Sequence, residues 1–275
     1  MTFDSRERSL ATARPVRLYR FTRGTLSWAY CTADRDITFQ AVKYAASAIS
    51  DDGLRLTGEA SADALKVTAP GTLAVAQLFR GAPPSSDVWL TIRDYHEGEP
   101  DAPASALISW IGTIAAVRWP ATDRCEITCQ TLSASMERPG LRLAWERTCP
   151  FALYDRNCRV NRELYRVDGL VQTVSGTTLG VPAAGTKPDG WFSGGFVAWV
   201  IEGGEIEQRG IESHAGIDLV LLGGTQGLRA AQSVAMYAGC NQTMAVCDGR
   251  FANGDNYGGI VHLPGKSPFD GTPIF

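Results

Sequence analysis

Along most of the chain apolar and polar residues alternate with a period of two, the spacing that places successive side chains on opposite faces of a pleated strand. In the first half VRLYRF, ITFQAV, GLRLTG, LKVTA, DVWLTIRDY, SALISWIGTIAAV and RCEITCQTL alternate in this way or are rich in β-branched and aromatic residues, with turn residues between them. After residue 160 the pattern returns in LYRVDGLVQTV, GWFSGGFVAWVIEGG, EIEQRGIESH, GIDLVLLGG and AAQSVAMYAGC. Helical spacing is rare. TLAVAQLFRG at 72–81 sets Leu73, Val75, Leu78 and Phe79 near one face, and Gly81 suits its C-cap. A second short helix is expected over Asn241 to Arg250, with Cys240 and Cys247 on one side of it, two turns apart. Pro139-Gly140 reads as a turn, with Leu141 to Arg147 a brief helical lead-in to Cys149.

The pattern predicts a mainly β protein with two small β-barrel-like domains and a short α/coil C-terminal module. The first β domain is placed at about 1–145 and an inserted one at about 162–236, with a linker at 146–161 and the module at 237–275. Composition agrees, because 44% of the 275 residues are apolar and such a chain can form one large or two modest cores. The opening MTFDSRERSL has two acids and two arginines with no apolar run behind it. No stretch approaches the roughly eighteen apolar residues of a membrane helix, so the chain is expected to have no membrane segment and to be made and kept in the cytoplasm until it is packaged. Net charge is −3 and the basic residues are scattered. A sequence-independent nucleic-acid binder needs a basic patch against phosphates, which argues against that role.

Seven cysteines introduce the most specific chemistry, and four of them form two wide pairs, Cys149-x8-Cys158 and Cys240-x6-Cys247. Thiolates are soft ligands, and four together favour zinc or an iron–sulfur cluster over calcium or magnesium. Zinc knuckles usually place ligands two to four residues apart, tighter than these gaps. A [4Fe–4S] cube is larger and takes its thiolates from looser loops, so spacing leans toward the cluster without deciding it. Disulfides or unrelated buried thiols are the alternative. After Cys247, DGRFANGDNYGGIVHLPGKSPFDG is too rich in Gly, Asn, Asp and Pro for a long helix or strand, so something other than a backbone ladder must hold it. The other three cysteines read as core thiols. Cys125 and Cys129 share a strand face with Ile127, about 13 Å apart at 3.3 Å per residue, too far to share one ion.

Catalytic motifs fail on inspection. GKS at 265–267 ends like a P-loop, but the glycine required five positions earlier is Ile260, and Pro268 bars the helix that would follow. HExxH, GxSxG and GxGxxG are missing from any strand-to-helix context. His96, His214 and His262 are far apart in sequence; His96, in DYHEGEP, is expected to be exposed in a hairpin loop, and His262 to be a surface or packing residue. A cysteine hydrolase would pair a thiol with a base, and no feature selects such a pair.

Several segments resemble one family. The pattern C-x6-C-x2-RF-x-N-x2-NYGG-x4-PG, starting at Cys240, is similar to the C-terminal signature of siphophage tail-tip hub proteins of the iron–sulfur type, which include the lambda-type tail-tip protein and the hub protein of gene transfer agents. PVRLYRFTRG at 15–24, WAYCTADRDITF at 28–39, GEASADALKVTAP at 58–70 and TCPFALYDRNCRV at 148–160 resemble other parts of the same proteins in the same order. The resemblance implies that Cys149, Cys158, Cys240 and Cys247 ligate a [4Fe–4S] cluster, with zinc as the alternative metal. Arg250, Phe251, Asn253, Asn256, Tyr257, Gly258 and Gly259 would support it, the glycines by positive φ or close approach and the amides by capping backbone groups. Four thiolates close every position of such a cluster, so its role would be structural and the chain not an enzyme, metal binding acting as folding free energy for the C-terminal segment.

The resemblance further implies a virion structural protein of the tail tip or baseplate, assembled in the host cytoplasm. Three copies with pseudo-sixfold symmetry would close a ring between the distal tail protein and the central fibre or tip protein, near the tape measure protein. DNA would only pass through the lumen, which a mildly acidic chain suits. One departure from the lambda-type protein is the much longer stretch between Cys158 and Cys240, the source of the inserted domain.

Overall fold

Period-two segments of the first half become the strands of a nine-stranded sheet in the computed structural model, which describes residues 3–9, 11, 13–55, 57, 63–99, 105–136, 145–201 and 203–263. In chain order these are β1 (Pro15–Arg23), β2 (Leu26–Cys31), β3 (Ile37–Phe39), β4 (Val42–Ala46), β5 (Ser50–Asp51), β6 (Leu65–Pro70), β7 (Trp89–His96), β8 (Leu107–Ala121) and β9 (Arg124–Thr131). Their spatial order is β3-β4-β2-β1-β7-β8-β9-β6-β5, and all neighbours are antiparallel except β2 and β4. The alternation decides which face is buried. Tyr19, Phe21, Leu65, Val67, Leu90, Ile92 and Ile127 fill one core, while Leu18, Cys31, Phe39, Tyr44 and Tyr95 fill a second. Burying each such aliphatic or aromatic side chain contributes about 1.5–3 kcal/mol.

Several local expectations are corrected. ITFQAV is not one strand, because Gln40 and Ala41 both take positive φ, 50° and 59°, and turn the chain tightly between β3 and β4. GLRLTG gives no strand among its described residues. The strand lies just upstream at β5, and the Asp51 carboxylate accepts the Gly53 amide at 3.0 Å to close a turn. The helix expected over 72–81 shrinks to α2 (Ala74–Gln77), and Gly81 has φ +90° well beyond its end. His96 is not exposed. It is the last residue of β7, opposite Pro15, and only 1% accessible. A short helix, α1 (Phe3–Glu7), covers it: the Phe3 ring lies 5.1 Å away and Glu7 Oε1 is 3.2 Å from its Nε2.

A second sheet of seven strands holds β10 (Arg166–Leu170), β11 (Thr173–Ser175), β12 (Thr178–Gly180), β13 (Phe196–Val200), β14 (Ile206–Ala215), β15 (Asp218–Leu221) and β16 (Ser233–Tyr237). Their order is β10-β16-β13-β14-β15-β12-β11. The long β14 serves both ends, pairing with β13 first and, past an irregularity between Ile211 and Ser213, with β15. LYRVDGLVQTV splits into β10 and β11, which pair with different partners. Leu179, Val181, Phe192, Val197, Ile211, Leu219 and Met236 form the core.

The chain divides into two units, Met1–Arg138 with Glu202–Glu205, and Pro139–Ile201 with Ile206–Phe275. The segments expected at 146–161, 162–236 and 237–275 therefore share the second unit, apart from residues 202–205. The Pro139-Gly140 turn, residues 141–144 of the helical lead-in and the GKS at 265–267 lie outside the described residues, and Trp145 to Arg147 are not helical.

Candidate metal centre

The first cysteine pair lies on a loop shaped by its own side chains. Asp155 Oδ1 accepts the backbone amides of Asn157 at 2.8 Å and Cys158 at 2.6 Å, an Asx turn that sets the Cys158 backbone. Tyr154 and Arg159 hold positive φ, 68° and 61°, so the loop reverses twice without glycine. The Tyr154 hydroxyl donates to the Ala238 carbonyl at 2.6 Å, and its ring meets Phe196, Tyr237 and Phe251 edge-on. This aromatic cluster fastens the loop to the end of β16.

Beyond β16 the chain reaches Cys240 and then α3 (Met244–Phe251), whose N-cap is Thr243. Thr243 Oγ1 accepts the Val246 amide at 3.4 Å, while Asn241 Oδ1 accepts the Thr243 amide and hydroxyl at 3.1 and 2.7 Å. These bonds stop the helix short of Cys240, which is not on a helical face with Cys247 as the spacing suggested. Gln242, at φ +61°, points its carbonyl at the Cys149 amide, 2.9 Å away, and so joins the two pairs. The helix ends at Ala252 in the left-handed region, φ 48° and ψ 41°, which turns Asn253 back toward the thiols.

All four cysteines line one cavity of about 90 Å³, with Phe151, Leu153, Val160 and Phe251 as apolar wall and Gly194, Gln242, Asn253 and Asn256 completing it. Cys158 and Cys247 are buried, at 8% and 7% exposure, and Cys149 and Cys240 are half-buried; all four are free thiols. Burial pushes the Cys240 thiol up, and the nearby Cys158 and Cys149 push it further. Cys247 is raised in the same way, by burial and then by Cys240, Cys149 and Cys158. The neighbouring thiols therefore make Cys240 and Cys247 harder to ionise, a penalty that a bound cation would cancel. A nucleophilic thiol needs the opposite, a depressed value beside a base. Among the described residues no three His, Cys, Asp or Glu side chains gather tightly enough to hold one metal ion.

The other residues expected to support the site take distinct positions. Arg250 Nη1 donates to the carbonyls of Trp191 and Gly239 at 2.9 and 2.6 Å, and its guanidinium lies 4.7 Å from the Trp191 ring centre. Phe251 packs 4.8 Å from the Tyr165 ring. Asn253 and Asn256 border the cavity. The Tyr257 hydroxyl lies 2.6 Å from the Arg147 carbonyl and 3.1 Å from that of Gln242, bracing both sides of the site. Gly258 and Gly259 are needed for close approach, since a Cβ would stand 2.4 Å from the Phe151 ring and 2.5 Å from the Arg147 carbonyl respectively. His262 is exposed, and His214 is buried against Phe192 on β14. Sequence reasoning missed Tyr154, Tyr165, Trp191 and Gly194. Isolated aromatic and glycine residues carry no spacing signal, so only their contacts reveal them.

Comparison with known proteins places these features. Residues 7–161 match a family model described as baseplate hub protein, N-terminal attachment domain, and residues 190–267 match one described as phage conserved hypothetical protein BR0599. The first span contains Cys149 and Cys158, the second Cys240 and Cys247. An uncharacterized protein of Xylella fastidiosa (strain 9a5c) is 27% identical over 185 residues, 62% of this chain; the chain spans 38% of the length of that curated relative. A chain in the structure titled virion of native gene transfer agent (GTA) particle has the same fold, with TM-score 0.77, 17% identity and coverage of 99% of this chain and 95% of that one. Because the attachment-domain match extends over more than half of its length, the chain belongs to the baseplate hub protein family.

Proposed function

We propose that this protein is a structural hub of a phage or phage-like tail tip, in which Cys149, Cys158, Cys240 and Cys247 hold a [4Fe–4S] cluster. The ring it forms, of three copies, lies between the distal tail protein and the central fibre or tip protein, with the tape measure protein adjacent and DNA passing through its lumen. It acts in the virion and is assembled in the host cytoplasm. The observation that carries the cofactor assignment is the placement of the four thiols around one cavity of about 90 Å³. On the same kind of measure about 10–15 Å³ holds a single water, so there is room for a body larger than one ion. The cluster would supply a covalent tie between a loop before the second sheet and the irregular segment after it. The chain's own residues shape that tie: Gln242 and Tyr257 bridge the two pairs, Tyr154 fastens the first loop to the end of β16, Arg250 holds the carbonyls of Trp191 and Gly239, and Phe151, Leu153, Val160 and Phe251 form an apolar wall.

The test is analysis for iron, zinc and acid-labile sulfide, with a visible spectrum, on protein purified without oxygen, beside a Cys149→Ser, Cys247→Ser variant. Brown protein with about four iron and four sulfide per chain, lost in the variant, is expected. One zinc and no colour replaces the cluster by a zinc-stabilised interaction module at the same thiols. Absence of any metal overturns the cofactor assignment.

A further inference from the structure

We infer that Asn253, held in place by Asn256, is the positioning residue that couples the two cysteine pairs; the inference rests on the thiol site proposed above. Asn253 touches both pairs at once. Its Nδ2 donates to the Cys158 carbonyl at 2.6 Å and lies 4.0 Å from the Cys158 sulfur. Its backbone amide donates to the Cys247 carbonyl at 3.1 Å, and its own carbonyl accepts from the Cys247 thiol at 3.3 Å. One residue thus binds the two buried cysteines, whose positions in the chain are 89 apart, Cys158 through its side chain and Cys247 through its backbone.

The orientation of the amide is fixed twice. A carbonyl can only accept, so the atom facing Cys158 must be nitrogen. Asn256 Nδ2 donates to Asn253 Oδ1 at 2.7 Å, which requires oxygen on the other side. The N–H therefore points toward the Cys158 carbonyl, so the side chain of Asn253 ties the loop of the first pair to the chain just beyond α3. At Cys240 the corresponding contact is made by a backbone amide, that of Gln242, which donates to the sulfur at 3.3 Å. A backbone amide survives any substitution but proline, whereas the donor at Cys158 depends on the side chain at 253. Aspartate there keeps the shape, removes the donor and sets a carboxylate against the Cys158 carbonyl, so the contact becomes repulsive and the two buried thiols open to solvent.

The test compares wild type, Asn253→Asp, Asn256→Ala and the double variant in two states of the full chain. In metal-free protein under reducing conditions, alkylation by iodoacetamide is followed cysteine by cysteine by mass spectrometry. Asn253→Asp is expected to speed alkylation of Cys158 and Cys247 about tenfold relative to Cys149 and Cys240, with far-UV circular dichroism unchanged, because loss of the hydrogen bond that closes over them raises local opening by about that factor. Asn256→Ala, which leaves the ligand-facing amide in place but unlocks it, is expected to give a smaller selective rise, and the double variant no more than Asn253→Asp. In protein reconstituted without oxygen, release of metal to a chelator is expected to quicken by about 10–100-fold and the visible band to shift. A uniform change over all four thiols, or none in either variant, overturns the inference. Should wild type take up no metal, the cofactor assignment fails, and the alkylation pattern still decides the role of Asn253. Should Asn253→Asp not fold, the selective rise in Asn256→Ala decides it.

Discussion

Cys125 and Cys129 lie on a strand, two residues either side of Ile127, whereas Cys149, Cys158 and Cys240 lie on loops and Cys247 on a short helix. In the nine-stranded sheet the register does the positioning: Cys125 faces Ala69 and Cys129 faces Leu65 across β6, and both thiols are fully buried. Cys125 donates to the Pro70 carbonyl at 3.3 Å, and burial pushes the Cys129 thiol up to about 12. These thiols behave as small apolar side chains. In the second unit no ladder fixes the four cysteines. Side chains bonded to backbone do so instead, namely Asp155, Asn241, Thr243 and Asn253. Much of that polar apparatus orients the four thiols toward one shared cavity, which the core thiols lack.

The largest expected break in that comparison comes from removing thiols of the proposed metal site. Cys158→Ala or Cys247→Ala should abolish metal content and lower the stability of the second unit by several kcal/mol, read as faster amide exchange over 240–263. Cys125→Ala and Cys129→Ala should leave iron, zinc and sulfide unchanged; loss of metal from either would erase the distinction between the two groups.

Ile127→Ala tests the other side. It empties a fully buried site between the two core thiols and should cost about 2–5 kcal/mol in denaturant unfolding, with metal content intact. Gly259→Ala is next, because its methyl would meet the Arg147 carbonyl at 2.5 Å. Overpacking of this kind costs about 1–3 kcal/mol, and here it should show as proteolysis of the C-terminal segment before any change in the first unit. An unchanged cleavage pattern would count against the close packing of the NYGG element.

Acid should separate the units further. Desolvation works to raise the Asp51 carboxyl, but hydrogen bonds from Tyr19 and Arg17 and the Arg17 charge outweigh it and hold it below its usual range. Arg17 reaches Asp51 at 2.7 Å and Asp94 at 2.8 Å. A depressed carboxyl contributes stability above its unfolded value of about 3.9 and loses it as pH falls through the lower folded value. The melting temperature of the first unit should therefore drop below about pH 4, and Asp51→Asn should flatten that dependence while lowering the plateau. The smallest effect concerns reactivity. In metal-free protein at pH 8 the half-buried Cys149 and Cys240 should alkylate well before Cys129, whose ionisation is suppressed by burial. Equal rates would place Cys129 outside the core.

Much of the fold was legible. β6, β8, β9, β14 and β15 follow the period-two segments closely, since each strand buries one face and alternation records which. The failures share one cause. ITFQAV has strand composition throughout, but two positive-φ residues fold it into a hairpin; LYRVDGLVQTV is one pattern serving two pairings. His96 looked like a loop residue because the loop does begin there, and nothing local announces that α1 will cover it.

For the site the division falls in the same place. The spacing of the cysteines and the density of Gly and Asn after Cys247 pointed to the four thiols, Asn253 and Asn256 among the residues that line the cavity, because ligand chemistry is a property of side-chain type and local irregularity is a property of composition. The sequence by itself determined a mainly β chain with two kinds of cysteine. Only the tertiary structure decided that Cys240 precedes its helix, that Gln242 joins Cys149 to the second pair, that Tyr154 locks the first loop, and that Asn253 reaches back to Cys158. The first follows from the local cap at Thr243, while the other three are contacts between segments far apart in the chain, aided by left-handed turns at Gln242 and Ala252, and no periodicity along the chain encodes such a distance.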